Sequence, residues 1–434
     1  MYSNRITRPL VAFLSLTLAA GFSGCSEPYE RPGRVLLIGV DGASPKVVAE
    51  LILQGRLPNL ARLKEEGAAG DLKSSQPIES PRIWNTIVTG QMPSKHGIAS
   101  FSKKDAQGVH HLFLSTDRTA RTIWSIASAK GMTVGVVNFW NTYPLERVNG
   151  VMVSDHVLAK EIDGRERMTG AATTPTGAVI YPPSWNDRLA KLMRANATPL
   201  PDHPNPFAED KVLPRWVLRD ELSRRFAEDG ALTRLALEIE RGTQPDLLMV
   251  LLPGIDRISH YIWGVLEPEE MYPPGLRPTP EGRAGGRDAL FAYYEYVDAL
   301  IGELIADYGP DDLVMVVSDH GFEAGQALMR LSGVHDSKDA IHGIVFARGP
   351  GVPAGSRPHK MTVRDVVPTL LLWMGLPIAR DMDGGPASFL ESPPKTPIDS
   401  YDDVEISFVE DTESGVEQDI VEHLRTLGYI EDEE

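Results

Sequence analysis

The chain has 434 residues, 60 acidic against 43 basic side chains and a formal net charge of −17. Such a surface repels phosphate backbones and anionic lipid, which argues against sequence-independent binding to nucleic-acid polymers. Apolar residues make up 42% and charged residues 24%, the composition of a soluble globular protein rather than a disordered chain or a multi-span membrane protein, and the length fits one large α/β domain or two smaller ones.

Residues 1–24 read differently from the rest. Arg5 and Arg8 precede the apolar run 10–20, and Phe22-Ser23-Gly24-Cys25 follows. A basic head with an apolar middle too short for a membrane span reads as a secretory signal. Cys25 is the single cysteine, so no internal disulfide forms and thiol chemistry is a poor basis for catalysis. The segment resembles a bacterial lipobox, with Phe22 where leucine is usual and Cys25 where the acylated cysteine stands. That resemblance implies an exported envelope lipoprotein on a tether of residues 25–33. Ser26 resembles outer-membrane sorting, facing the periplasm or the cell surface.

From residue 34 the pattern becomes α/β. Strands are predicted at 35–40, 134–137, 151–153, 247–252, 313–317 and 344–347, and helices at 58–66, 122–130, 216–242, 290–308 and 363–374. Their alternation predicts one doubly wound sheet covered by helices on both faces, a single domain over 34–390. Two insertions, about 156–215 and 264–288, hold stretches rich in proline and glycine and are expected to form a lid over the site. Residues 391–434 form an acidic tail with one short amphipathic helix.

Three apolar runs each deliver metal-ligand residues at their far end. VLLIGV is followed by Asp41, DLLMVLLPGI by Asp256 and, one helical turn later, His260, and LVMVVS by Asp319 and His320. Singly each has a bland explanation, since aspartate caps helices and histidine packs in cores. Jointly they predict a metal held by Asp41, Asp319 and His320, and a second begun by Asp256 and His260 on one helix face. The second needs a ligand beyond His320, and His335 and His342 are the alternatives. Mixed Asp/His sets suit zinc, with manganese the other candidate, better than calcium. Two such ions ~3.5–4 Å apart clamp the attacking and leaving oxygens of a displacement at phosphorus. The nucleophile is expected near Asp41 in the fold, between the first strand and the next helix, at Ser80, with Thr86 and Thr89 as other hydroxyls. Pro81 biases Ser80 toward extended backbone.

The order VDG…SPxxWxxxxTGxxPxxHGI…GxDxxxH…SDHGF…SGxH resembles the alkaline phosphatase superfamily, and within it the type I phosphodiesterase/nucleotide pyrophosphatase branch. The resemblance runs from about residue 34 to 376. It implies a mixed, mostly parallel sheet sandwiched between helices, a phosphoenzyme on Ser80, Ser80 Oγ as a further metal ligand, and hydrolysis of a small-molecule or envelope-derived phosphate ester. Relatives carry asparagine three residues after the nucleophile, where this chain has Ile83, so Arg82 and Asn85 are the candidate substrate-binding replacements. The sulfatase pattern is absent, because Pro81 directly follows Ser80. Asn138, Trp140, Asn141 and Tyr143 line a leaving-group pocket or pack as an aromatic patch, and His96 is expected to fix a turn. Two other functions compete: a phospho-group transferase modifying an envelope glycan or lipid, and a non-catalytic lipoprotein of the same fold. A Ser-His-Asp esterase is remote, since no GxSxG elbow is present.

Overall fold

Six consecutive apolar residues, Val35–Val40, form strand β1, and every one is buried. A strand without polar alternation must be covered on both faces. The computed structural model describes residues 33–157, 178–194 and 202–410, apart from 216, 272, 328, 329, 336, 337, 339, 393 and 394. The remaining strands are β2 (Ala68–Lys73), β3 (Ser102–Lys104), β4 (His110–Leu112), β5 (Val134–Val137), β6 (Gly150–Val153), β7 (Ile180–Tyr181), β8 (Leu247–Leu252), β9 (Leu313–Val317), β10 (Glu323–Ala327), β11 (Arg330–Val334) and β12 (His342–Arg348). The helices are α1 (Pro45–Leu53), α2 (Pro58–Glu66), α3 (Ser80–Thr89), α4 (Pro93–His96), α5 (Ile123–Ala129), α6 (Asn186–Arg194), α7 (Arg219–Thr243), α8 (Gly254–Ile262), α9 (Pro280–Ile305) and α10 (Val366–Trp373).

The eight-stranded sheet has the order β2-β12-β9-β1-β8-β5-β6-β7. Strands β9, β1, β8, β5 and β6 run parallel to one another. β12 runs antiparallel between β9 and β2, and β7 closes the far edge antiparallel to β6. Alternate residues of β1 feed two separate cores: Leu36, Ile38 and Val40 join the one containing side chains of α1, α2, α7 and α9. Val35 and Leu37 join the other, with residues of α3, α5 and α10. Burying one such aliphatic side chain stabilises by about 1.5–3 kcal/mol, so this double-sided strand anchors the domain.

Most predicted elements appear within a few residues of their expected bounds, and the differences have local causes. The helix expected at 290–308 starts ten residues earlier, at Pro280, because Thr279 Oγ1 accepts the Gly282 N–H at 3.1 Å and proline is favoured in a first helical turn. Part of the expected second insertion is therefore helix. The 363–374 segment divides into a 3-10 turn, Val363–Asp365, and α10. Ser80 is not extended: it is the first residue of α3, and the extended residue is Glu79 (φ −137°, ψ 121°). Proline in the first turn costs no helical hydrogen bond, and the helix overrides its bias on the residue before it.

The expected signal peptide, Cys25, the tether up to residue 32, residues 158–177 and 195–201 of the first insertion, and residues 411–434 of the tail lie outside the described residues. Among the described residues no helix is long and apolar enough to cross a membrane.

Candidate active site

Strands β9, β1 and β8 are adjacent and in register, Val40 pairing with Leu252 and Gly39 with Val317. Their carboxyl ends therefore open at one sheet edge, the place where open α/β sheets bind ligands. Asp41 follows β1, Asp256 sits in the first turn of α8 after β8, and Asp319 and His320 follow β9. Close packing demands glycine at Gly42, which has φ 71°, because a Cβ there would lie 2.6 Å from the Phe322 ring and 2.9 Å from Asp256. The bare turn lets the β1 end approach α8, and the Asp256 N–H donates to Asp41 O at 3.0 Å.

His320 Nε2 lies 3.4 Å from Asp41 Oδ1, 3.4 Å from Asp319 Oδ2 and 3.7 Å from Asp256 Oδ1. His260 Nε2 is 3.4 Å and His335 Nε2 3.9 Å from that same Asp256 oxygen. Two sets of donor atoms result, each within 4.8 Å: Asp41, Asp319 and His320, and Asp256, His320 and His335. The first is the predicted set. The second differs from expectation in two ways: His320 belongs to both sets, and His260, although its Nε2 approaches Asp256, is in neither. His335, at the end of the β10–β11 hairpin, enters the cluster. His342 belongs to neither set and lines a cavity of about 570 Å³ with Ser44, Lys46, Asp71 and Phe322.

The histidine tautomers are set by backbone carbonyls. A carbonyl only accepts, so His320 Nδ1–H donates to Gly321 O at 2.9 Å and His260 Nδ1–H to Gly333 O at 3.0 Å. Each Nε2 is thereby left to face the carboxylates. Electrostatics show the same crowding. Burial, together with the Asp41 carboxylate, holds the Asp319 carboxyl well above its usual range. Burial lowers His320, but Asp319, Asp41 and Asp256 outweigh it and raise the imidazole to about 10. Burial would raise Asp256, yet His260, His320 and His335 bring it below the ordinary carboxylate range. Burial and its histidine neighbours push His335 well below its usual value.

Asp256 Oδ1, Asp319 Oδ2 and His320 Nε2 are buried without a hydrogen-bond partner. Buried polar atoms ordinarily find partners, and a carboxylate cluster sharing few protons is the arrangement a divalent cation relieves. The nitrogen and oxygen donors fit zinc or manganese.

Ser80 Oγ, 2% exposed as a residue, donates to Asp41 Oδ1 at 3.3 Å. The competing hydroxyls point elsewhere: Thr86 Oγ1 donates to Arg82 O at 3.1 Å and Thr89 Oγ1 to Asn85 O at 2.6 Å. Arg82 donates to Gln76 O at 3.3 Å. Asn85 has no group left for substrate. It is fully buried, its Nδ2 donates to Pro81 O and Asn141 Oδ1 (both 2.7 Å), and its Oδ1 accepts from Arg118 Nη1 at 2.9 Å. His96 does fix a turn, its Nδ1 accepting the Ile98 N–H at 3.1 Å. Tyr143 stacks on His156 with 4.6 Å between centroids, as core packing.

Sequence reasoning, which named Trp140 only for a leaving-group pocket or aromatic patch, missed one pairing of roles. Trp84 Nε1 donates to Asp41 Oδ2 at 3.1 Å, and Trp140 Nε1 to the same oxygen at 3.3 Å. A signal for Trp84 existed, because residue i+4 from Ser80 shares its helix face. For Trp140 none did.

A model of the type I phosphodiesterase / nucleotide pyrophosphatase family matches residues 35–367. No curated protein matches the chain. Among solved structures, phosphonoacetate hydrolase from Sinorhizobium meliloti 1021 aligns at 20% identity and TM-score 0.43, over 69% of this chain and 59% of that one. The chain thus spans under two thirds of that hydrolase's length. BT1596, a 2-O GAG sulfatase, aligns at 15% identity and TM-score 0.52, over 82% and 73%. A mutant of alkaline phosphatase PafA aligns at 12% identity and TM-score 0.51, over 81% and 98%. At these identities the last two likenesses are ones of fold, and that fold is the alkaline-phosphatase-like sandwich the motifs implied.

Proposed function

Because the chain belongs to the type I phosphodiesterase / nucleotide pyrophosphatase family, an enzyme family of phosphate-ester hydrolases, we propose that it cleaves a small phosphate ester through attack by Ser80. The carrying observation is one buried hydroxyl, Ser80 Oγ, 3.3 Å from Asp41 Oδ1 beside the two Asp/His sets. Asp41, Asp319 and His320 would hold one divalent ion and Asp256, His260 and His335 the other, together supplying Lewis-acid neutralisation of phosphoryl charge and a lowered serine pKa.

Asp41 Oδ1 orients the Ser80 hydroxyl proton, leaving an oxygen lone pair for phosphorus. The Oγ–P bond forms as the ester P–O bond breaks, and the proton given up by Ser80 ends on the departing alkoxide, which leaves as the alcohol. Water then attacks the phosphoserine phosphorus, the Oγ–P bond breaks, and a proton from that water restores the Ser80 hydroxyl as the phosphate product leaves. His260 and His320, oriented by Gly333 and Gly321 carbonyls, keep their Nε2 atoms on the reacting side throughout. Lipid anchoring at Cys25 in a bacterial envelope completes the proposal and places the enzyme beside envelope-derived phosphate esters.

The test is a chromogenic phosphomonoester and phosphodiester screen on wild type and Ser80→Ala, with metal content measured on both. Ser80→Ala should lose on the order of 10³-fold or more in kcat with metal content retained, and chelation of wild type should abolish turnover that zinc or manganese restores. Near-normal turnover by Ser80→Ala would eliminate the nucleophile. Labelled palmitate should enter wild type and not Cys25→Ser.

A further inference from the structure

We infer that Trp84 and Trp140 form a two-indole clamp that positions Asp41, fixing which carboxylate oxygen meets Ser80 and the metal. The inference deepens the proposed mechanism and rests on Asp41 being a ligand. Both indole N–H groups converge on Oδ2, at 3.1 and 3.3 Å, while Oδ1 accepts from Ser80 and lies 3.4 Å from His320 Nε2. One oxygen is thus bound outward and the other presented inward. An aspartate χ2 torsion is otherwise broad, so a carboxylate with only one partner would rotate.

The two donors arrive by independent routes. Trp84 lies one turn beyond Ser80 on α3, so a single helix face grips both oxygens of Asp41. Its ring packs so close to β1 that a Cβ at Gly39 would fall 2.6 Å from it. Trp140 comes from the turn after β5, where Asn138 (φ 63°) and Asn141 (φ 58°) are both left-handed. Such conformations persist where surroundings hold them. Here Asn138 Nδ2 donates to Leu251 O at 3.1 Å, Asn141 N to Asp155 Oδ2 at 2.8 Å, and Asn141 Nδ2 to Phe113 O at 2.6 Å. The bent turn delivers Trp140 to Asp41, with Phe101 edge-on to its ring at 5.5 Å.

The experiment replaces Trp140, and separately Trp84, with benzothienylalanine, whose sulfur substitutes for the N–H within the same ring shape. Zinc is titrated into the metal-stripped full-length chain, and melting, kcat and KM are measured alongside. Zinc affinity should weaken by about 10–100-fold, the usual effect of removing an outer-shell partner, with melting of the metal-stripped protein and KM unchanged and kcat reduced. Wild-type zinc affinity and kcat in both analogues would overturn the clamp. If Ser80→Ala is meanwhile inactive, the proposed mechanism survives that failure, whereas an active Ser80→Ala removes the mechanism itself.

Discussion

Arg118→Met tests how the site's frame is held. Arg118 and Glu146 form an ion pair whose side chains are 1% and 3% exposed. The Arg118 Nη1 group also donates to Asn85 Oδ1 at 2.9 Å and Asn141 O at 3.0 Å, tying α3 to the turn that carries Trp140. The second Glu146 oxygen accepts from Ser125 Oγ at 2.5 Å. Methionine fills much of the volume but leaves Glu146 buried with only that hydroxyl. Removing one partner of a buried pair costs about 3–5 kcal/mol. With about 2.1 cal/mol/K of unfolding entropy per residue over roughly 350 described residues, Tm should fall by about 4–7 °C. Differential scanning calorimetry reads the fall, and kcat should drop as well, because Asn85 and Asn141 lose their shared anchor. Adding Glu146→Leu removes the stranded charge and should recover about half or more of the lost Tm, yet leave kcat low. A single Arg118→Met variant with wild-type Tm and kcat would refute the view that this pair braces the site.

Two further outcomes follow from the geometry. His335→Ala should lose bound metal while His342→Ala retains it, read by elemental analysis of the purified proteins; the reverse pattern would reassign the last ligand. His96 is buried, and desolvation, with Arg118 and Arg82 adding to it, pushes its imidazole down to about 3. The folded pKa lies below the unfolded value of about 6.5, so between those values the unfolded chain binds the extra proton, and the contribution is complete above pH ~6.5 and lost on acidification. Comparing pH 7.5 with pH 5.0 by urea unfolding, wild type should lose about 2 kcal/mol more than His96→Asn; equal losses would exclude His96 as the source.

What was legible in the sequence was whatever is local or periodic. Apolar runs without polar alternation mark strands buried on both faces, so β1, β5, β8 and β9 fall where expected. The acids and imidazoles just past their ends were legible because strand termini are where a sheet opens. Helix starts were harder: α9 begins at a threonine cap inside a stretch that composition alone reads as irregular.

By itself, then, the sequence determined six of the sheet's eight strands, the donor chemistry at strand ends and the candidate hydroxyl. Tertiary structure decided who meets whom. It placed His320 in both donor sets, took His335 over His342, spent the Asn85 amide on Asn141 and Arg118, and turned two tryptophans onto one carboxylate oxygen. The reason is physical. Donor chemistry belongs to a residue type and strand propensity to a short window, whereas a bond between residues 41 and 140 depends on a strand register and a left-handed turn that no local pattern records.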